Sequence, residues 1–389
     1  MRETASTLPL WQRLLEALRN ERDLDLRWRA TLPGLDAGVP NYKVMKQVAL
    51  RNRFGRLYPL FIALATLAMP LLGLVQWPVA LAHALRGRGR DRAARAHFLV
   101  LLPADLPLMK HALPDLAADT DLLETRHLAA QLGPRAVLAC VAAHARLIIA
   151  ILGAPAGQRR DLLLHARDAF AMLMLGRHAR EYPHDTYVTV DHYQRWAFLL
   201  SHESANLRIV QHGFLDGEIA FTHRPGRVHT LHVRHPDFER EFARFFEIGH
   251  AVTFTPAFDF AATPAGGDAV LLASSFPMID DEIALLTRLR EKSPVPVVVK
   301  FHPAHHYDAR KARLAALADH VSDRGHPACR IFVSHSSFME YDYRTAAAAT
   351  FSIRRSGGVD NALEDILQAL QNTPAPGAAQ AALTEGPRS

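Results

Sequence analysis

Four short polar runs each follow a segment that reads as a β-strand: Asp191-His192, Gln211-His212-Gly213, Lys300-Phe301-His302-Pro303 and Ser334-His335-Ser336-Ser337. Ligands of open parallel sheets bind at the carboxyl ends of strands, so these runs are where chemistry is expected. Lys300 supplies a point charge and His302 a donor that can neutralise a phosphate oxygen, while Pro303 enforces a sharp exit from the strand. Ser336 and Ser337 stand at the start of a stretch read as a helix, Ser337–Ala348, where hydroxyls cap free N–H groups and the helix terminus attracts an anion. About 35 residues, one strand–helix–strand repeat, separate these two runs, which places both loops on the same edge of one sheet. Taken singly, the Lys-Phe-His-Pro run also reads as a surface turn, since His-Pro recurs at His235-Pro236, and the serine pair as an ordinary N-cap.

If a phosphate-bearing group at such an edge is to be transferred to a hydroxyl, a base must take the hydroxyl proton as the donor bond breaks. His212, followed by Gly213 that permits close approach of a substrate, is the first candidate; Asp191 and Asp216 are the alternatives. Each also has an ordinary reading, as a hydrogen-bonded turn residue or a helix cap. His302, His305, His306 and Asp308 offer enough ligands for a metal but no strong ligand spacing, and neither a metal nor a cofactor is expected. Arg354, Arg355, Gly357 and Gly358 follow a strand read over Thr350–Ile353; they suit either phosphate or a plain loop, and the loop is favoured because no fixed glycine-rich signature is present.

The elements that must position these residues alternate. His97–Pro103 has the continuous apolar character of a buried parallel strand; helices are read over Pro134–Leu152 and Gln158–Arg180, strands over Thr186–Val190, Leu207–Val210 and Val228–Val233, and a helix over His235–Phe246. Thr253–Gly267 loses periodicity and reads as a linker. A second series follows: strands at Ala269–Ala273, Val295–Phe301 and Arg330–Val333, helices at Asp280–Lys292 and Asp308–His320. The fold class is therefore α/β, with two parallel-sheet domains, over 97–262 and 268–371, and a disordered tail over 372–389.

Residues 1–96 read differently. Leu8–Arg19 is a short amphipathic helix without a cleavable end, so the N-terminus is expected in the cytoplasm. Leu57–Leu85 carries no formal charge over 29 residues, beyond the roughly 20 needed to cross a bilayer. Pro59, Pro70 and Pro78 interrupt it, and arginines crowd both flanks, so a re-entrant or in-plane hydrophobic hairpin is expected; a buried helical hairpin is the alternative. Lys+Arg 45 against Asp+Glu 39 leaves +6, concentrated near that segment, which points to a surface and away from a nucleic-acid groove. Cys140 and Cys329 form no metal-spaced pair and no disulfide framework, in keeping with a reducing compartment.

The order of Gln211-His212-Gly213, Val298-Val-Lys-Phe-His-Pro303 and Phe332-Val-Ser-His-Ser-Ser337-Phe-Met-Glu340-Tyr-Asp342-Tyr resembles bacterial surface-polysaccharide transferases of GT-B architecture. The similar families are capsule-type sialyl- and 3-deoxy-manno-octulosonate transferases and CDP-glycerol glycerophosphotransferases, and the resemblance covers roughly residues 97–370. It implies two Rossmann-like domains facing a cleft, the C-terminal one holding a nucleotide-activated sugar donor, the N-terminal one a lipid-linked or polysaccharide acceptor. His302, Ser336 and Ser337 would contact donor phosphate, His212 matches the family's His-Gly motif, and Gly213, His335 and Glu340 would touch donor or acceptor. His335 departs from the aromatic residue common in the glycerophosphotransferases. The implied activity is an inverting, metal-independent glycosyltransferase at the cytoplasmic face of a bacterial inner membrane. The alternatives are transfer of a polyol phosphate from a CDP donor and a non-catalytic membrane scaffold for glycan assembly.

Overall fold

The computed structural model describes residues 8–30, 47, 50–51, 53–87, 95–100, 105–116, 118–119, 125–190, 194–213, 221–254, 260–262, 267–275, 278–302, 309–322, 325–335, 337–344 and 346–372. The chain divides into two compact units, Met1–Thr255 and Pro256–Ser389, and each is built on a sheet whose strands all run parallel.

The first unit opens with helices α1 (Leu10–Ala30) and α2 (Tyr58–Arg86). Its sheet and covering helices follow as β1 (Ala96–Leu99), α3 (Asp105–Ala112), β2 (Ala118–Asp119), α4 (Thr125–Leu152), α5 (Ala156–Leu163), α6 (Ala166–Glu181), β3 (Thr186–Thr189), α7 (Arg195–Glu203), β4 (Asn206–Val210), β5 (Arg227–Val233), α8 (Asp237–Ala243) and β6 (Glu247–Thr253). Among the described residues the strands lie in the order β2-β1-β3-β4-β5-β6. Phe98, Val188 and Val210, from three neighbouring strands, pack with Met109 of α3 in one apolar cluster. α1 belongs to this unit: Glu21 forms a two-pronged bond with buried Arg195 at the start of α7 (2.8 and 2.9 Å), and Asn20 exchanges two hydrogen bonds with the backbone of His223.

The second unit contains β7 (Phe260–Ala261), β8 (Val270–Ser274), α9 (Ile279–Lys292), β9 (Val297–Phe301), α10 (Ala309–Ala316), β10 (His320–Ser322), β11 (His326–Pro327), β12 (Ile331–Ser334), α11 (Met339–Tyr343), β13 (Ala349–Ser352) and α12 (Val359–Asn372). Its main sheet has the order β10-β9-β8-β12-β13, and β7 pairs with β11 apart from it. Alternate residues of the same strands feed two apolar clusters. Val270, Leu272, Val297, Val299, Ile331 and Val333 pack with α9 and α12; Leu271, Val298 and Phe332 pack on the opposite face with Tyr343. Burial on both faces is why these strands read as continuous apolar runs.

Several elements differ from their sequence reading. The proline-broken hairpin expected over 57–85 is instead one continuous helix, α2, with Pro70 and Pro78 inside it. Pro59 sits in its first turn, where a missing N–H is an orphan in any case, and tertiary packing offsets the bonds lost at the other two. Gly73 shows how close that packing is, since a Cβ there would lie 2.9 Å from the His144 ring and 3.0 Å from the Ala166 carbonyl oxygen. α4 does contain the helix read from Pro134, joined to an earlier turn across a kink at Gly133 (φ 77°, ψ 167°). The single helix read over Gln158–Arg180 is two, separated at Leu164-His165, and the helix read over Ser337–Ala348 is only Met339–Tyr343. β6 was not foreseen: most of its residues are exposed at the sheet edge, so no apolar run marks it. Part of the linker read over Thr253–Gly267 is strand, in β6 and β7. The tail after Asn372 lies outside the described residues.

Candidate functional site

In the second unit, the pairing register aligns one residue from every strand of the main sheet. Ser322 of β10 stands opposite Lys300 of β9, Lys300 opposite Ala273 of β8, Ala273 opposite Ser334 of β12, and Ser334 opposite Ser352 of β13. This row is at the carboxyl edge, and it puts Lys300 two strands from Ser334, about 10 Å across the sheet. The Lys-His run and the serine run therefore occupy one edge, with only Ala273, a side chain of one carbon, between their strands.

Lys300 is half-buried and His302 exposed at the end of β9, and Lys311 of α10 places its Nζ 4.8 Å from the centroid of the Phe301 ring. Beyond β12, the Ser337 N–H donates to Ser334 Oγ (3.0 Å), and Ser337 Oγ accepts from the Met339 N–H (3.2 Å). Ser337 thus forms a local serine turn just before the short helix α11, whose N-cap is Phe338, and its hydroxyl oxygen is engaged by the backbone. His335 is buried, with Nε2 3.6 Å from an Asp281 carboxylate oxygen; burial pushes its imidazole below the usual range against the opposing pull of Asp281. Its carbonyl oxygen accepts from Ser352 Oγ (2.8 Å), tying the ends of β12 and β13 together. Glu340 is buried and paired with Arg355 and, at 3.5 Å, with Arg344, so the Arg354-Arg355 turn is anchored to α11. Ser336, His305, His306 and Asp308 lie outside the described residues.

One group at this edge escaped the sequence reading. Glu282, in the first turn of α9, is fully buried and accepts from Ser274 Oγ (2.6 Å), the Ser275 N–H (2.7 Å) and Ser275 Oγ (3.2 Å) at the end of β8. Burial pushes its carboxyl up to about 7, with Asp281 adding to the rise and the serine bonds opposing it. The signal was present in Ser274-Ser275, another serine pair between a strand and an acidic helix start.

The folded state consequently keeps a proton that the unfolded chain releases between about pH 4.5 and 7. Its stabilising contribution is complete below pH 4.5 and is lost as pH rises to 7. Across that window, wild-type stability relative to Glu282→Gln should fall by about 3 kcal/mol in urea unfolding. Parallel stability curves for the two proteins would contradict this.

In the first unit, Gln211 follows β4 and is buried; its N–H donates to the His232 carbonyl (2.8 Å), its Oε1 accepts from the Arg234 N–H (3.1 Å), and its Nε2 donates to the Gly213 carbonyl (3.3 Å). This side chain joins the ends of β4 and β5 and holds the turn from which exposed His212 projects. Asp191 and Asp216 lie outside the described residues. His97, His178 and Asp185 bring three ligand atoms within 4.8 Å of one another, all buried. Their bonding is that of a structural network: His97 Nε2 meets Asp185 at 2.7 Å, and the two His178 ring nitrogens meet the Tyr187 hydroxyl (2.6 Å) and Gln131 Oε1 (2.7 Å). The network also sits at the amino ends of β1 and β3, opposite the edge where parallel sheets bind ligands.

Compared with known proteins, the sequence matches no family model and shows no significant similarity to any curated protein.

Proposed function

We propose that this chain is a glycosyltransferase of GT-B type that moves a sugar from a nucleotide-activated donor to a lipid-linked or polysaccharide acceptor in bacterial surface glycan synthesis. The reading is carried by the register row at the carboxyl edge of the second sheet, which groups Lys300 with the ends of β8, β12 and β13. A diphosphate seated there would meet the ammonium of Lys300, the imidazole of His302 and hydroxyls from the Ser336-Ser337 run. The two parallel-sheet units support the architecture, one for each substrate.

In the reaction, the acceptor hydroxyl oxygen attacks the anomeric carbon while the bond from that carbon to the donor phosphate oxygen breaks. The hydroxyl proton passes to a base, for which exposed His212 is the described candidate and Asp191 and Asp216 the others. The electron pair of the broken bond leaves with the nucleotide, whose growing negative charge Lys300 and His302 stabilise; no metal is required for that charge balance. Attack opposite the leaving group inverts the anomeric centre. Catalysis is placed at the cytoplasmic face of the inner membrane, where a lipid-linked acceptor resides.

A nucleotide panel tests the donor assignment. A ligand at about 100 times its Kd adds roughly 2.7 kcal/mol of stability, several degrees in melting temperature. Cytidine or uridine nucleotides are expected to produce that rise in the wild type and not in His302→Ala. No shift with any nucleotide would reject the reading.

A further inference from the structure

Among the described residues, two helices, Gly55–Arg86 and Thr125–Leu152, are long and apolar enough to cross a membrane. Their packing argues for a different placement. α2 is apolar all round, yet its two sides have different surroundings. Tyr58, Ile62, Gly73, Ala80 and Ala84 are buried along one side. Leu60, Leu64, Leu67, Leu71, Val75 and Val79 stand on the other, from 49% exposed at Val79 to 68% at Leu67. At about 100° per residue the two sets centre on opposite faces of the helix. The buried set runs from the first turn to the last, so α2 lies against the unit over its whole length of about 43 Å.

α4 packs antiparallel beside it. Gly87, just past the end of α2, abuts Ala130 near the start of α4, while Gly73 abuts His144 farther along. α4 has an exposed stripe of its own, in which Arg135 and Arg146 alternate with Leu138, Ile149 and Leu152. The inner side of α2 also touches α5 and α6, which carry the exposed charges Arg159, Arg160, Arg167 and Asp168. If α2 crossed a bilayer, these polar helices would enter the hydrocarbon with it, at about 2.5–3.5 kcal/mol for each charge near the centre. Lying in the interface avoids that penalty.

We propose that the outer faces of α2 and α4 dock flat on an anionic lipid bilayer, with α2 embedded lengthwise at the level of the headgroups and acyl boundary. Charge complementarity selects this occupant over a second copy of the chain. Exposed Arg51, Arg53 and Arg56 stand at one end of α2 and Arg86 at the other, with Arg135 and Arg146 on α4, and no acidic residue interrupts α2. At the first end Phe54 stacks on Phe61 (centroids 4.3 Å apart) under the Arg53 guanidinium, an amphipathic cluster suited to the headgroup layer. The docking deepens the membrane placement given above but rests on surfaces of the first unit alone, so it stands or falls separately from the transfer chemistry.

The test is flotation of the full chain with sealed vesicles of phosphatidylethanolamine and phosphatidylglycerol, against vesicles of phosphatidylcholine. Binding is expected to the anionic vesicles, to weaken as salt rises, and to drop roughly a hundredfold in a Leu64→Asn, Leu67→Asn, Leu71→Asn, Val75→Asn variant. All four side chains are exposed, so the variant should melt like the wild type. Arg56→Cys and Arg86→Cys, made singly at the headgroup level, distinguish lying from crossing: with vesicles added to folded protein, a membrane-impermeant maleimide should reach both ends of an in-plane helix from outside. Protection of one end alone would overturn the in-plane placement. Equal binding to both vesicle types, unchanged binding of the fourfold variant, or a dimer without lipid that the variant abolishes would each overturn the proposal. Nucleotide-induced stabilisation measured without vesicles remains an independent readout of the donor site.

Discussion

Lys300→Ala should lower kcat/KM for donor turnover by about a hundredfold, the loss typical when a preorganised group facing developing charge is removed. The lysine is half-buried at the carboxyl end of β9, in register with Ala273, so its ammonium is offered at the edge where the proposed leaving phosphate develops its charge. Lys300→Arg keeps the charge but changes its shape from a compact ammonium to a planar fork, and should recover only part of the rate. Release of the nucleotide product, followed for both variants beside the wild type, measures the effect, and melting curves control for folding. Full activity in Lys300→Ala would remove the phosphate role from this edge.

A second large effect is expected far from that edge. Arg195 is buried at the start of α7, where its Nη1 meets both carboxylate oxygens of Glu21 and its N–H donates to Glu21 Oε2 (3.1 Å), with Asp168 at 3.5 Å from Nη2. Arg195→Met leaves the Glu21 carboxylate buried without its counter-ion, and losing one member of such a pair costs about 3–5 kcal/mol. For a unit of this size that corresponds to a drop of about 10 °C in melting temperature. In Glu21→Leu/Arg195→Met no orphaned charge remains, so the double variant should be more stable than Arg195→Met alone. Thermal unfolding of the three proteins decides this, and additive losses would show that the pair is not coupled.

The legible part of the fold was its parallel strands. The strands read over Val295–Phe301 and Arg330–Val333 are found at Val297–Phe301 and Ile331–Ser334, because both faces of the sheet are covered, leaving an apolar run between a turn and a polar exit. β6 was invisible for the converse reason: as an exposed edge strand with Glu247 and His250 along it, it has no pattern to distinguish it from a loop. The prolines of α2 misled because helix-breaking rules weigh local hydrogen bonds, whereas Trp77 Nε1 donating to His144 Nδ1 (2.9 Å) and the close approach at Gly73 hold the helix from outside. At the candidate site, Lys300 and His302 announced themselves by charge next to a strand end. Glu282 did not, because an acidic residue in a first helical turn is an ordinary capping choice until its burial against Ser274 and Ser275 is seen.

Local pattern was enough to establish two series of parallel strands, their polar exits and an uncharged 29-residue stretch between arginines, because periodicity, turn residues and charge are properties of neighbours along the chain. Strand order and register required the folded molecule. That Lys300, Ala273 and Ser334 share one row, and that α2 turns one apolar face inward and leaves the other uncovered, depends on contacts between residues far apart in sequence, and no short window of residues contains those partners.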